Sequence, residues 1–133
     1  MSSSPELVVP RIFAAIDDRR FGDLHALYDE DVHATTAVGE IAGRASLVGT
    51  LQAIHDPIPV LQHSVSGVIV DDLEGDTASV RANVVAFFGD EHHEPLLEGS
   101  SIWRGRLHRT DGHWRIAEVA IETVWTRGQM PTA

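Results

Sequence analysis

Two extended segments joined by an Asp-Gly dipeptide limit the fold of this chain more than any other feature. Residues 99–109 precede the turn, residues 113–122 follow it, and Asp111-Gly112 stands between them. Asp-Gly between two extended runs is the strongest short-range indication of a β-hairpin, because both residues tolerate positive φ. The C-terminal part of the chain is therefore expected to lie in an antiparallel sheet.

Helical periodicity is confined to the N-terminal half, and extended segments dominate the rest. Helices are predicted over residues 5–19, over a short stretch capped by Asp23, and over residues 44–55. Strands are predicted over residues 60–72, 76–89, 97–109 and 113–125, after a β-leaning segment at 32–38. A chain with this order commonly wraps its sheet around its helices, which leaves a cavity. We therefore predict a single α+β domain over residues 1–133.

The charge and the Cys content of the chain exclude several classes of binding partner and chemistry. The chain has 133 residues, a hydrophobic fraction of 43% and a formal net charge of -10, and all ten of its basic residues are Arg. Such acidity argues against nucleic acid, because neutralising phosphates requires clustered positive charge. The chain has no Cys, so it can form neither a disulfide nor a thiolate nucleophile.

Membrane and metal partners are not expected either. The apolar runs are too short to span a bilayer, and residues 1–5 lack the features of a signal peptide. We therefore expect a cytoplasmic protein. His92 and His93 are adjacent, but neighbouring strand residues point to opposite faces and this pair lies in a predicted exposed turn, so no metal site is expected.

Four segments carry a resemblance to a known family. They are Leu-Tyr-Asp-Glu-Asp-Val at 27–32, Gly-Glu-Ile-Ala-Gly-Arg-Ala-Ser-Leu at 39–47, Gly-Asp-Thr-Ala-Ser-Val at 75–80 and Arg-Thr-Asp-Gly-His-Trp-Arg-Ile at 109–116. With the order of helices and strands, they resemble the SnoaL-like group of the nuclear-transport-factor-two-like superfamily. The resemblance implies N-terminal helices packed in a strongly curved, mainly antiparallel sheet that forms a cone with an internal pocket. It also implies cofactor-free acid–base chemistry, as in ketosteroid isomerase, scytalone dehydratase and polyketide cyclases, although non-catalytic members are common.

His63, near the start of the first long predicted strand, is the first candidate catalytic residue. In SnoaL-like and scytalone-dehydratase-like proteins a His at this place often points into the cavity, so the resemblance implies a role in proton transfer. Imidazole titrates near neutral pH and can both donate and accept a proton there. The alternative is a His that is only hydrogen-bonded at a strand end.

Tyr28 and Asp31 form a second candidate catalytic group. They are three residues apart across the predicted end of the second helix, so they are able to face the same way. By the resemblance, Asp31 would orient His63 or an attacking water, and Tyr28 would polarise a carbonyl group. The alternative is that Asp31 is a turn residue and Tyr28 a core residue.

Glu118 is the remaining candidate for catalysis. It shares strand parity with Trp114 and Ile116, which have the character of core residues. If that parity holds, its carboxylate points into or beside the cavity, where apolar surroundings make a carboxylate a usable general acid or base. The alternative is an exposed Glu at the open edge of the sheet, paired with Arg.

The candidate substrate-binding residues are Asn83, Trp103, Arg81 and Phe87. Three of them, Arg81, Asn83 and Phe87, share one face of the predicted strand 76–89. An Arg on an otherwise apolar face requires an anionic partner. If that face is the outer one, Arg81 is a solvated surface residue, and parity alone leaves both interpretations open.

Three functions remain open at this stage. The first is an isomerase, cyclase or dehydratase that acts on a small hydrophobic carbonyl compound, the second a non-catalytic protein that binds a small apolar ligand, and the third a dimerisation module. An enclosed pairing of His63 with a carboxylate, Asp31 or Glu118, would favour the enzyme. A homodimer is expected in each case, since the outer sheet face would carry the apolar residues Ala117, Val119, Ile121 and Trp125.

Overall fold

The computed structural model describes residues 4–130 and places all of the α-helical structure before the long strands. A 3-10 turn at Pro5–Leu7 leads into helix α1, Val8–Asp17, and a second 3-10 helix follows at Phe21–Ala26. Helix α2 spans Arg44–His55, in agreement with the predicted range. Pro10 does not interrupt α1, because it lies in the first turn, where the backbone N–H has no intrahelical partner.

Six strands make up the rest of the domain. They are β1 Tyr28–Thr36, β2 Gly39–Ala42, β3 Val60–Glu74, β4 Thr77–Gly89, β5 Pro95–Thr110 and β6 His113–Gly128. The four long strands lie where the sequence predicts them, with ends that differ by up to three residues. The prediction that the second helix ends at residues 29–31 is wrong, because the chain is already extended from Tyr28 onward.

The strands form one sheet in the order β2-β1-β6-β5-β4-β3, which confirms the predicted α+β class. All neighbouring pairs are antiparallel except β1 and β6, which are parallel. The sheet is curled but not closed, so β2 and β3 are its edges. Helix α1 packs against β3 and thus covers part of one exposed edge.

The predicted Asp-Gly turn joins β5 to β6. Thr110 pairs with His113 across it, and Asp111 and Gly112 have φ values of 55° and 78°. Positive φ at both central residues is the geometry of the type I′ turn, whose twist matches that of the flanking strands. The prediction of a hairpin at this place is confirmed.

The core lies between the helices and one face of the sheet, which we call the inner face. Its largest fully buried side chains come from both layers and are Trp103, Ile12, Ile16, Leu24, Leu107, Ile116, Val9 and Val32. Helix α1 has apolar residues at helical spacing, and the strands have them at alternate positions. Burial of these side chains is the main source of stability for a domain of this size.

A β-bulge in β6 reverses the expected alternation over residues 118–123, and a second bulge at Val124 restores it. Leu107 pairs with Ile116, but the preceding residue, Arg106, pairs with Glu118, so Ala117 is an additional residue on β6. Glu118 is consequently exposed on the outer face, and Val119 is buried on the inner face. The prediction that Glu118 shares a face with Trp114 is therefore wrong.

The same bulge changes which apolar residues lie on the outer face. Val119 is buried and Ile121 packs against the core, so neither belongs to the predicted outer surface. Trp125 does lie outside, because it pairs with Ser100, which in turn pairs with Val85 of β4. Its side chain is 45% exposed.

Candidate functional site

Asp17, the last residue of α1, holds His63 of β3 at two points. One carboxylate oxygen, Oδ1, lies 2.6 Å from His63 Nδ1, and Oδ2 accepts the backbone N–H of His63 at 2.7 Å. The side chain of His63 is 4% exposed and that of Asp17 is 18% exposed. Two hydrogen bonds from one carboxylate fix both the backbone and the ring of His63.

The contact with Asp17 also determines the tautomer of His63. An ionised carboxylate only accepts hydrogen bonds, so the hydrogen atom of the neutral ring lies on Nδ1. The lone pair is then on Nε2, which makes this atom the basic one. An Asp that orients a His in this way is a recurring arrangement for proton transfer.

Aromatic rings surround His63 inside the domain. The ring centroid of Phe13 lies 4.8 Å away, that of His55 lies 5.5 Å away, and that of Phe88 lies 5.7 Å away. Phe13 comes from α1, His55 from the end of α2, and Phe88 from β4. The imidazole of His63 thus lies at a point where two helices and two strands meet.

His55 is a second buried imidazole in this cluster. Its Nδ1 atom lies 2.7 Å from the carbonyl oxygen of Leu51, one helical turn earlier, and the residue is 8% exposed. Desolvation lowers the pKa of His55 below its ordinary value, and the nearby His63 contributes in the same direction. The hydrogen bond to the Leu51 carbonyl and the charge of Asp17 oppose this shift only in part.

The side chain of Arg19 ties the end of α1 to the connection between α2 and β3. Its guanidinium group donates to the carbonyl oxygens of His55 at 3.2 Å and Asp56 at 2.9 Å, and also to that of Ile58. Arg19 itself adopts a left-handed backbone conformation with φ 57°. These bonds hold the segment that carries His55 next to the helix end that carries Asp17.

An open groove of about 530 Å³ reaches the Asp17–His63 pair between α1 and β3. Its walls carry both apolar and polar side chains, which come from Pro10, Phe13, Ala14, Asp17, Asp18, Leu61, Gln62, His63 and Val65. The volume lies within the range of small-molecule sites. The arrangement combines a positioned base with apolar side chains that a ligand is able to contact.

Tyr28 and Asp31 do not join this site. Tyr28 is a core residue with 3% exposure, and burial raises the pKa of its hydroxyl group. Asp31 is exposed on β1. The segment is a strand rather than a helix end, so residues three apart point to opposite faces and the expected pairing cannot form. Asp17 takes the position beside His63 that the sequence interpretation gives to Asp31.

The other predicted site residues are divided between the core and the outer face. Trp103 is 1% exposed and fills the core. Arg81, Asn83 and Phe87 alternate with the buried residues of β4 and therefore lie on the outer face. Arg81 and Glu118 line a second groove of about 490 Å³ there, on the opposite side of the sheet from His63.

Sequence reasoning missed both Asp17 and His55. An indication for Asp17 was present, since a carboxylate at the C-terminal end of a helix is disfavoured by the helix dipole and therefore suggests another role. His55 gave no such indication, because a His in the last turn of a helix is the residue type that the dipole favours.

Residues 4–130 contain neither a candidate membrane-spanning helix nor a candidate metal-binding cluster. None of the helices in this range combines the length and apolar character of a membrane span. Likewise, His, Asp and Glu side chains in the described part of the chain do not form a group of three or more that could hold a metal ion.

The chain belongs to the SnoaL-like domain family, whose model matches residues 7–120. Comparison with curated proteins gives no significant match. The expected resemblance to this family is confirmed, and with it a fold whose members include pocket enzymes.

Solved structures agree with this assignment. A protein assigned by name as a scytalone dehydratase from Novosphingobium aromaticivorans is 21% identical, with a TM-score of 0.84 over 96% of this chain and 87% of that one. The hexachlorocyclohexane dehydrochlorinase LinA-type3 from Novosphingobium barchaimii is 14% identical, with a TM-score of 0.78 over 92% of this chain and 85% of that one. At such identities the likeness shows the fold alone.

Proposed function

We propose that this protein is a cofactor-free acid–base enzyme of the isomerase, cyclase or dehydratase type, acting on a small hydrophobic carbonyl compound. The observation that carries the proposal is the hydrogen-bonded Asp17–His63 pair, which is almost buried and lines an open groove together with apolar side chains of α1 and β3. Membership of a family that includes pocket enzymes supports it. The names of the similar structures, a dehydratase and a dehydrochlorinase, are those of eliminating enzymes.

In the proposed reaction, His63 Nε2 accepts a proton from the carbon next to the substrate carbonyl. The electron pair of the broken C–H bond moves toward the carbonyl oxygen and gives an enolate. Meanwhile His63 Nδ1–H stays bonded to Asp17, whose negative charge lies 2.6 Å from the imidazolium that forms. Asp17 thus positions the base and lies beside its charged form.

The second half of the reaction distinguishes the types of enzyme. The imidazolium returns the proton to a different carbon in an isomerase. In a dehydratase it protonates a hydroxyl group, which leaves as water while the enolate electrons form the new C=C bond. In a cyclase the enolate carbon attacks a second carbonyl, whose oxygen takes the proton. All three begin with the same abstraction by His63.

The shared first step permits a test before the substrate is known. α-Tetralone and acetophenone are apolar ketones whose α-hydrogens exchange with deuterium when a base abstracts them, which ¹H NMR in D₂O detects. We expect the wild type to accelerate this exchange, and we expect His63→Phe, which keeps a ring next to Phe13, to abolish the acceleration.

The control is His113→Phe, which removes an exposed imidazole at the start of β6. This variant is expected to exchange α-hydrogens at the wild-type rate. If the wild type accelerates neither ketone, or if His63→Phe is as active as the wild type, the enzymatic proposal is wrong. Saturable binding of the ketones without exchange would favour the non-catalytic ligand-binding function.

A further inference from the structure

We infer that His55 is a second substrate-contacting residue, whose Nε2 accepts a hydrogen bond from a hydroxyl group of an apolar, hydroxylated substrate bound next to His63. The inference rests on the proposed function and narrows its substrate class. It assigns the two imidazoles different tasks, with His63 moving the proton and His55 recognising a hydroxyl.

The tautomer of His55 follows from its hydrogen bond. A carbonyl oxygen only accepts, so His55 Nδ1 must carry the hydrogen that it shares with Leu51 at 2.7 Å. In the neutral ring Nε2 then has a lone pair and no hydrogen. His55 therefore offers a ligand an acceptor and not a donor.

The surroundings of His55 keep it neutral. Its ring is buried between the rings of His63, 5.5 Å away, and Phe88, 6.1 Å away. The charged and titratable groups that act on it are His63, Asp17 and Arg19, and the Asp17 carboxylate is already engaged twice by His63. Desolvation lowers the pKa of His55, so the acceptor form persists at neutral pH.

Among residues 4–130, neither imidazole has a hydrogen-bond partner at its Nε2 atom. Within the described residues, Trp114 Nε1 is the one side-chain nitrogen or oxygen atom that is both fully buried and without a hydrogen bond. Neither Nε2 atom, of His55 or of His63, is therefore both fully buried and unpaired. Since no hydrogen bond to either Nε2 is formed within residues 4–130, these atoms retain some contact with solvent. His63 lines the groove, whereas the ring of His55, 5.5 Å from that of His63, is not among the lining residues, so the inferred hydrogen bond requires the ligand to extend from the groove toward His55.

Two neighbouring acceptors select for a particular ligand chemistry. His63 Nε2 takes the proton of an acidic C–H group, while an O–H group satisfies His55 Nε2. An ether or a second carbonyl at His55 would bring two lone pairs together and leave a buried acceptor unpaired, which disfavours binding. The inferred substrate is therefore a hydroxylated carbonyl compound with an otherwise apolar body.

The test compares 2-naphthol with its methyl ether, 2-methoxynaphthalene, two probes that share the naphthalene body and differ in having or lacking the O–H donor. We expect the wild type to bind 2-naphthol about five- to tenfold more tightly, the effect of one hydrogen bond to a buried acceptor. His55→Phe is expected to remove this preference while retaining the ring that packs against Phe88. His113→Phe, the exposed control, is expected to keep it.

A second measurement does not depend on the variant folding. In ¹⁵N-labelled wild-type protein, 2-naphthol is expected to shift the His55 Nε2 resonance toward that of a hydrogen-bonded nitrogen, and 2-methoxynaphthalene is not. The inference is overturned if neither probe binds, if the two bind equally, or if the preference survives in His55→Phe and the shift occurs at His63. Any of these outcomes removes the role of His55. If the wild type still accelerates ketone exchange and this acceleration depends on His63, the proposed enzymatic function is unaffected.

Discussion

Asp17 and His63 are 46 residues apart in the chain, yet they form the most buried acid–imidazole contact among residues 4–130, with a separation of 2.6 Å. Asp17 ends α1 and also accepts the backbone N–H of His63 on an edge strand. The same carboxylate therefore docks a helix on the sheet and orients the proposed base. Its substitution should affect both stability and chemistry.

We expect Asp17→Asn to lower the rate of ketone α-exchange by about 10²-fold or more. An amide cannot accept from both the ring and the backbone without turning its own N–H₂ group toward one of the donors, so one bond is lost and the His63 tautomer is no longer fixed. ¹⁵N NMR of the His63 ring measures the tautomer directly. Asp111→Asn, in the exposed β5–β6 turn and outside the groove, is the control and should leave both readings unchanged.

Glu118→Gln should leave the exchange rate within a factor of two of the wild type. The carboxylate is exposed on the outer face, on the opposite side of the sheet from His63, so it does not contact a ligand in the groove. The same exchange assay checks this expectation. A large loss of rate would show that the outer groove takes part in the reaction.

Local pattern was sufficient to predict most of the fold. The Asp111-Gly112 turn, the range of α2 and the four long strands depend on neighbouring residues and on alternation, which are visible in the sequence. His63 was also a candidate, but the resemblance to SnoaL-like proteins indicated it, and the local sequence pattern did not. These are the features for which local preference and global fold agree.

The partners of His63 could not be predicted in this way. The additional residue Ala117 places Glu118 on the outer face of the sheet instead of the inner face. Nothing in the local composition of β6 indicates this bulge. Asp17 and His55 meet His63 only because α1, α2 and β3 pack at one point. Such juxtapositions depend on tertiary packing, and parity arguments along one strand do not reveal them.

His55 should make the folded protein less stable in acid. Its pKa is lowered in the folded state below the ordinary value of 6.5, so as the pH falls through that value the unfolded chain takes up a proton that the folded chain does not. The free energy of unfolding therefore declines below about pH 6.5, by at most about 1.4 kcal/mol per pH unit from this residue.

The test compares urea unfolding of the wild type and His55→Phe at several values between about pH 5 and pH 7.5. We expect the variant to show a weaker dependence on pH, since its side chain cannot be protonated. His113→Phe should follow the wild type, because His113 is exposed. Parallel curves for all three proteins would mean that His55 is as easily protonated in the folded chain as in the unfolded one.

Gly105→Ala should destabilise the domain by about 1–3 kcal/mol. A Cβ atom at this position would lie 2.5 Å from the indole ring of Trp103 and 3.0 Å from the backbone oxygen of Glu118, and Trp103 is too tightly buried to move freely. Gly49→Ala provides the contrast. Gly49 lies in α2 with nothing within 4 Å of a new Cβ, so the change should be stabilising by about 0.5–1 kcal/mol. Urea unfolding measures both values.

The outer sheet face supports a final prediction, that two copies of the chain associate through it. Trp125 is 45% exposed and Phe87 is 37% exposed on this face, and burial of these two large apolar side chains would favour association. We expect light scattering to give a dimer at micromolar concentration and Trp125→Glu to give a monomer. Leu73→Glu, at an exposed residue near the β3–β4 turn, should remain dimeric. A monomeric wild type at that concentration would rule the association out.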